Sequence, residues 1–230
     1  MALQGVLLDI DGTLVLSNDA HAQAWVEAFA DYGYEIKFED IRPLIGMGAD
    51  QVVPRMVSEL SGEEGVGKQI ANRRKELIIE KFSPNLAPAP GSRELVQKLK
   101  QDGFKLVVAS SATSQELSSL LKAAEVEDLL GEEPTTTSND AESSKPAPDL
   151  VEAALDKGQL QPEQAIMLGD TPYDIEAASK AGIGVIAFRC GDFDDTQLAD
   201  ALAIYDNPAD LLEHYEQSPL GKSKMAQVDS

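Results

Sequence analysis

Two aspartates two residues apart, Asp9 and Asp11, close the apolar start of GVLLDIDGTLV, residues 5–15. Two more, Asp170 and Asp174, follow a second apolar run in AIMLGDTPYD, and Ser110 and Ser111 end a third, KLVVASS. Lys145 stands in the polar stretch SSKPAPD. Carboxylates packed together repel one another and raise each other's pKa. A hard divalent cation removes that repulsion: Mg²⁺ prefers carboxylate and carbonyl oxygens, keeps waters, and is commonly completed by a substrate phosphate. The metal and Lys145 would supply the positive charge that an anionic substrate needs. A carboxylate nucleophile beside an acid that later serves as base is also the minimum set for covalent catalysis.

The elements that must position these residues can be read from periodicity. Continuous apolar runs at 5–8, 105–110, 165–170 and 184–188 read as strands buried on both faces, with a weaker one at 202–205 and a Thr-rich outer candidate at 134–138. Helical spacing lies between them. Leu95, Val96 and Leu99 precede Gly103; Leu117, Leu120 and Leu121 follow Ser114 as an N-cap; Leu150, Val151, Ala154 and Leu155 precede Gly158; Ile175 and Ala178 precede Gly182. Short apolar strands alternating with helices predict an α/β fold with a parallel sheet. Ligands of such sheets bind beyond the carboxyl ends of the strands. The aspartates, the serines and Lys145 are therefore expected to converge there.

The alternation breaks between Val15 and Pro88, where helical stretches such as AHAQAWVEAFADYG and QIANRRKELIIEKF replace strands. Residues 83–92, with Pro84, Pro88 and Pro90, read as a semi-rigid linker back to the α/β part. The expected organisation is a core of 1–15 and 89–217 with a helical domain of 16–88 inserted. The tail 218–230 lacks periodicity and is expected to be disordered. No internal repeat is present.

The 230 residues, 43% hydrophobic, suffice for one core domain and a small second one. Forty acidic against 19 basic residues give a net charge of -21. That field repels nucleic acid and anionic membranes, so neither is an expected partner. Cys190 is the only cysteine, which rules out a disulfide within the chain and fits a reducing compartment. The first residues lack a basic segment, and their apolar run is too short for a signal peptide or a membrane span. A cytoplasmic protein is expected, and a monomer, since no long apolar stripe is left exposed.

DIDGTLV, VVASS, KPAPD and GDTPYD, in that order, resemble the four motifs of the haloacid dehalogenase-like (HAD) superfamily of aspartate-nucleophile phosphohydrolases. The motifs span Asp9 to Asp174. The helical insertion after the first is similar to the α-helical (type C1) cap of the phosphoglycolate phosphatase and β-phosphoglucomutase-like group. The resemblance implies a Rossmann-like parallel core. Asp9 would attack phosphorus, and Asp11 would protonate the leaving alcohol and then deprotonate the hydrolytic water. Ser110, Ser111 and Lys145 would hold the phosphoryl oxygens. Asp9, the backbone carbonyl of Asp11, and Asp170 would bind Mg²⁺, and Asp174 would support the metal site. Residues two apart on a strand face the same way; a turn at Gly12 and Thr13 would then carry Asp11 to the other side of the phosphorus.

The cap residues offered to the substrate are His21, Gly46, Gly48 and Arg55, with Arg42, Gln51 and Arg73 as further polar candidates. Trp25 reads as core. The loop LIGMGADQ would close over the site. Haloacid dehalogenases and the phosphonate hydrolases of this superfamily lack the second aspartate, which is present here as Asp11. β-Phosphoglucomutases usually carry Arg after the cap-loop glycine and Lys after the second-motif Ser; this chain has Gly48-Ala49-Asp50 and Thr113. The expected function is a Mg²⁺-dependent phosphatase acting on a small phosphomonoester, of the phosphoglycolate or sugar phosphate type. The alternative is a phosphosugar mutase. A non-enzymatic binding module would have lost the nucleophile or the lysine, and both are present.

Overall fold

The first apolar run becomes the central strand of the sheet because every one of its side chains is buried. In the computed structural model, which describes residues 3–228, strand β1 (Gly5–Leu8) is followed by β2 (Lys105–Ala109), β3 (Thr135–Thr136), β4 (Ala165–Gly169), β5 (Gly184–Phe188) and β6 (Ala203–Tyr205). They form one sheet in the order β3-β2-β1-β4-β5-β6, every neighbouring pair parallel. Alternate residues of the central strands point to opposite faces. Val6, Leu8, Val108 and Leu168 join one apolar cluster, and Leu7, Val107 and Met167 join the other. A strand covered by helices on both faces has no polar side, which is why these runs are continuous rather than alternating.

Helices fill both faces: Ser92–Gln101, Ser114–Ala123, Asp149–Gly158 and Pro172–Lys180. The second has its cap one residue earlier than expected. Thr113, not Ser114, accepts from the Glu116 amide, and the Glu116 carboxylate accepts from the Thr113 amide, a reciprocal capping box.

Between Val15 and Pro88 the helices Asn18–Asp31, Ala49–Met56 and Gly65–Leu77 pack around their own apolar cluster, which includes Trp25, Phe29, Ile41, Val53, Ile70 and Ile78. The two chain crossings that join this cluster to the sheet run side by side. The Leu16 amide donates to the Ala87 carbonyl at 2.9 Å, and the Ala89 amide to the Leu14 carbonyl at 2.9 Å.

The tail corrects the expectation of disorder. A helix covers Pro219–Val228, and Leu220 is fully buried in the same cluster as Tyr215 and Leu211. The Leu3 amide donates to Ser223 Oγ at 2.8 Å, and Lys224 lies over the Phe104 ring. One apolar anchor and long-range polar contacts hold this helix, so it has no repeating pattern to read. Residues 229 and 230 lie outside the described residues. Among the described residues no helix is long and apolar enough to cross a membrane.

Candidate active site

β1 lies between β2 and β4, where the strand order reverses direction, and the loops leaving all three meet above it. Asp9 comes directly after β1, its amide donating to the Leu168 carbonyl at 3.0 Å. The chain then turns back: the Leu14 amide donates to the Ile10 carbonyl, and the Gly12 amide to the Val15 carbonyl. Gly12 has φ 72°, and a Cβ there would lie 2.1 Å from Asp170 Oδ2. Only glycine meets both conditions. Because β1 ends at Leu8, strand alternation does not govern the two aspartates as expected, and their side chains diverge.

Asp9 turns into a buried cluster. Its Oδ1 accepts from Lys145 Nζ at 2.7 Å and its Oδ2 from Thr13 Oγ1 at 3.0 Å. Thr13 Oγ1 also lies 2.9 Å from Asp170 Oδ1, although a hydroxyl has one proton to give. Asp170 Oδ2 accepts from Asn18 Nδ2 at 2.7 Å. Lys145, itself 1% exposed, forms a second ion pair with Asp174 Oδ1 at 2.6 Å. Asp174 Oδ2 accepts from the Thr171 amide and hydroxyl, which caps the helix Pro172–Lys180 and fixes the carboxylate.

Three carboxylates against one lysine leave two negative charges uncompensated. Burial pushes Asp9 up to about 7; Lys145 opposes the rise, and Asp174 and Asp11 add to it. Burial also lifts Asp170 well above the usual carboxylate range, with Asp174 and Asp9 adding. Burial disfavours the Lys145 ammonium, but Asp174 and Asp9 overcome it and raise its pKa. Oxygens of Asp9, Asp170 and Asp174 lie within 4.8 Å of one another. This donor set fits a hard divalent cation. All three already hold protein partners: Asp9 bonds Lys145 and Thr13, Asp170 bonds Thr13 and Asn18, and Asp174 bonds Lys145 and Thr171.

The raised carboxylates fix the sign of the pH dependence of stability. A carboxylate whose folded pKa is raised contributes stability that is present below its unfolded value, near 4, and lost as pH rises through the folded value. In chelator the protein should therefore melt at a lower temperature at pH 8 than at pH 6, and a divalent cation should remove most of the difference. Equal melting temperatures in chelator would refute the charge assignment.

Asp11 lines the same cleft but takes its hydrogen-bond partners outside the cluster. Its Oδ1 accepts from Ser17 Oγ at 2.6 Å and lies 2.6 Å from His21 Nε2. Burial opposes its ionisation, but His21, Ser17 and Arg74 together hold its pKa below the ordinary value. His21 thus contacts an aspartate and also lines the cleft. In His21→Asn the Asp11 pKa should rise. If Asp11 serves as a base, the acid limb of the pH–kcat profile moves to higher pH; an unmoved limb would assign His21 to packing.

The other candidates divide. A cleft of about 470 Å³ is lined by Asp9, Asp11, His21, Ser111, Lys145 and Asp174. Gly46 also lines it, with φ 108° and a hypothetical Cβ 2.8 Å from Thr171 Cγ2. Ser110 lies fully buried at the end of β2, its Oγ accepting from the Ala112 amide. Ser111 Oγ is buried with no partner among the described residues. Gly48 lines an adjoining cleft, and its amide donates to Ser144 Oγ at 3.0 Å. Arg55 is not brought to the site: it is exposed and donates to Gln51 of its own helix. Gln51 bonds Asp50 and Arg55. Arg42 reaches Asp19 and the Gly191 carbonyl, and Arg73 pairs outside with Asp31 and Glu76.

Sequence reasoning missed the parts played by Thr13, Asn18 and Arg74. Thr13 and Asn18 hold Asp9 and Asp170 from positions with no periodic signal. Arg74, not Arg73, lines the cleft, its Nη1 paired with buried Glu116. A signal existed: Gly67, Ile70, Ala71 and Leu77 form the buried stripe of their helix, and position 74 falls on it.

A family model described as haloacid dehalogenase-like hydrolase matches residues 6–188. The chain is 29% identical over 190 residues to the protein SUPPRESSOR OF QUENCHING 1, chloroplastic, of Arabidopsis thaliana, covering 81% of this chain but only 18% of that protein. It is 25% identical over 189 residues to the pyrophosphatase PpaX of Bacillus mycoides, covering 81% of this chain and 84% of the relative. The crystal structure of a hydrolase from Pseudomonas syringae superposes with a TM-score of 0.85 at 25% identity, covering 94% of this chain and 98% of that one.

Proposed function

The chain belongs to the haloacid dehalogenase-like hydrolase family, and on that premise we propose that it is a Mg²⁺-dependent phosphatase that hydrolyses a small phosphomonoester through an aspartyl-phosphate on Asp9. The observation that carries this reading is the buried Asp9–Lys145–Asp174 arrangement with Asp170 beside it, opening on a cleft that Asp11 also lines.

In this reading Asp9 is the nucleophile. Lys145 and Thr13 fix its two oxygens, so attack on phosphorus needs little reorientation. Lys145, Ser110 and Ser111 hold phosphoryl oxygens, and Asp174 holds Lys145. Asp11 gives the departing alcohol its proton, with His21 Nε2 2.6 Å from its Oδ1 to orient it. Asp11 then takes a proton from water, which attacks the phosphorus and releases phosphate and free Asp9. Asp9, Asp170 and the carbonyl of Asp11 would hold the Mg²⁺, whose charge would neutralise the transferring group and keep Asp9 ionised. The two aspartates differ in role because their surroundings differ. The helices of 16–88 act as the cap that closes the cleft.

The test is phosphate release from a panel of small phosphomonoesters and pyrophosphate, with Mg²⁺ and with EDTA. Mg²⁺-dependent release that EDTA abolishes is the expected result. Interconversion of phosphosugar isomers without net release would overturn it in favour of a mutase.

A further inference from the structure

Of Asp9, Asp11, Asp170 and Asp174, only Asp170 pairs with no basic side chain among the described residues: Lys145 goes to Asp9 and Asp174, and His21 to Asp11. Its oxygens meet neutral donors instead, Oδ1 the Thr13 hydroxyl at 2.9 Å and Oδ2 the Asn18 amide at 2.7 Å. These orient the carboxylate without cancelling its charge, which leaves that task to a divalent cation. Asn18 is 5% exposed and opens the first helix of the cap. Its Nδ2 donates to Asp170 and, at 2.9 Å, to the Gly191 carbonyl. Both partners are acceptors, so the nitrogen must face them; the reversed amide would set oxygen against oxygen. Oδ1 is left buried with no partner among the described residues. An orphaned acceptor costs stability, so this amide is placed for Asp170 and Gly191 and not for its own pairing.

Gly191 lies in the turn after β5 and packs on the same carboxylate: a Cβ there would lie 1.9 Å from Asp170 Oδ2. Its carbonyl takes a second donor from the cap, Arg42 Nη2 at 2.8 Å. Arg42 is itself held in place. Its Nε donates to Asp19, the neighbour of Asn18, at 2.6 Å, and its guanidinium carbon lies 5.6 Å from the centroid of the Phe193 ring. Phe193 is buried in an apolar cluster of the sheet. Arg42 also leads into the segment that enters the cleft. Ile45, Gly46 and Met47 line the cleft, and the Pro43 carbonyl accepts from Tyr173 Oη at 2.7 Å. Moving this part of the cap therefore moves a donor that sets Gly191, and Gly191 with Asn18 sets Asp170.

We propose that Asn18 and Arg42 are positioning residues that, through the Gly191 carbonyl, couple divalent-cation binding at Asp170 to the seating of the cap. This rests on the cation part of the proposed function and adds a linkage to it. A seated Arg42 holds Gly191 and Asn18 where they present Asp170 to the cation. Asp170 engaged by a cation holds the same two groups, and through them Arg42. The coupling is reciprocal by thermodynamic necessity.

The test reads Mn²⁺ binding to the substrate-free protein from the loss of the free-ion EPR signal, with no turnover involved. Asn18→Ala should weaken binding by about 10- to 100-fold, the scale for removing a group that orients a metal ligand. Arg42→Met, which contacts none of the candidate ligands, should weaken it by about 3- to 10-fold, and Arg42→Lys should recover part of the loss. Arg73→Met is the control: it loses the Asp31 and Glu76 pairs on the outside of the same cap and should bind as the wild type does. By reciprocity, Mg²⁺ should slow amide exchange at Ile45 and Met47 in the wild type and much less in Arg42→Met. Wild-type affinity in either Asn18→Ala or Arg42→Met overturns the proposal. So does a loss in Arg73→Met equal to that in Arg42→Met, or exchange that Mg²⁺ leaves unchanged. The phosphatase reading stands in each of these cases. If the wild type takes up no Mn²⁺, the cation reading itself falls, and the linkage with it.

Discussion

Asp9→Asn should reduce phosphate release by roughly 10⁴-fold or more, the scale seen when a covalent nucleophile is removed. The amide oxygen can still accept from Lys145 Nζ and the amide nitrogen can donate to Thr13 Oγ1, whose own proton then goes to Asp170, so the site keeps its shape while losing the charge that attacks. Rapid-quench experiments with labelled substrate should trap a hydroxylamine-sensitive acyl phosphate in the wild-type protein and none in the variant. Stability should move the other way. Asp9 is buried with its pKa pushed up to about 7, so its ionised form is disfavoured in the folded chain. Removing that charge should raise the melting temperature in chelator at pH 8. Loss of activity together with gain of stability separates a chemical role from a structural one. Retained turnover in Asp9→Asn would end the covalent reading.

Lys145→Met should be damaging on both counts. Methionine fills much of the same space but leaves Asp9 and Asp174 buried and facing each other without a cation. Removing one partner of a buried ion pair costs about 3–5 kcal/mol. Phosphate release should fall by about 10²–10³-fold, the scale for losing one preorganised donor at developing charge. Saturating Mg²⁺ should recover part of the stability, by cancelling the carboxylates, and little of the activity. A variant as stable and as active as the wild type would show that the lysine neither balances the cluster nor holds phosphate.

Much of this was legible in the order of residues. The strand positions, the helical interruption after β1 and the meeting of Asp9, Lys145, Asp170 and Asp174 all come from local periodicity and from the tendency of parallel sheets to bind ligands at their carboxyl ends. Those are properties of short stretches, and a strand buried on both faces leaves an unbroken apolar run wherever it lies. The type of chemistry was legible too, because clustered carboxylates with one lysine have few stable uses without a cation.

The tertiary structure decided which atoms meet. Asp9 and Asp11 part company because β1 stops at Leu8 and the turn over Gly12 redirects the chain. Arg74 rather than Arg73 enters the cleft, since neighbours on a helix point about 100° apart and only one can face the sheet. Asn18 bonds Asp170 across 152 positions and Arg74 pairs with Glu116 across 42. No periodic pattern encodes a single polar contact between distant segments. The tail helix is held by the apolar anchor Leu220 and by contacts such as that of the Leu3 amide with Ser223, 220 positions apart. Hydrophobic patterning repeats along the chain and so can be read from it, whereas an individual hydrogen bond or ion pair exists only once folding has brought its two ends together.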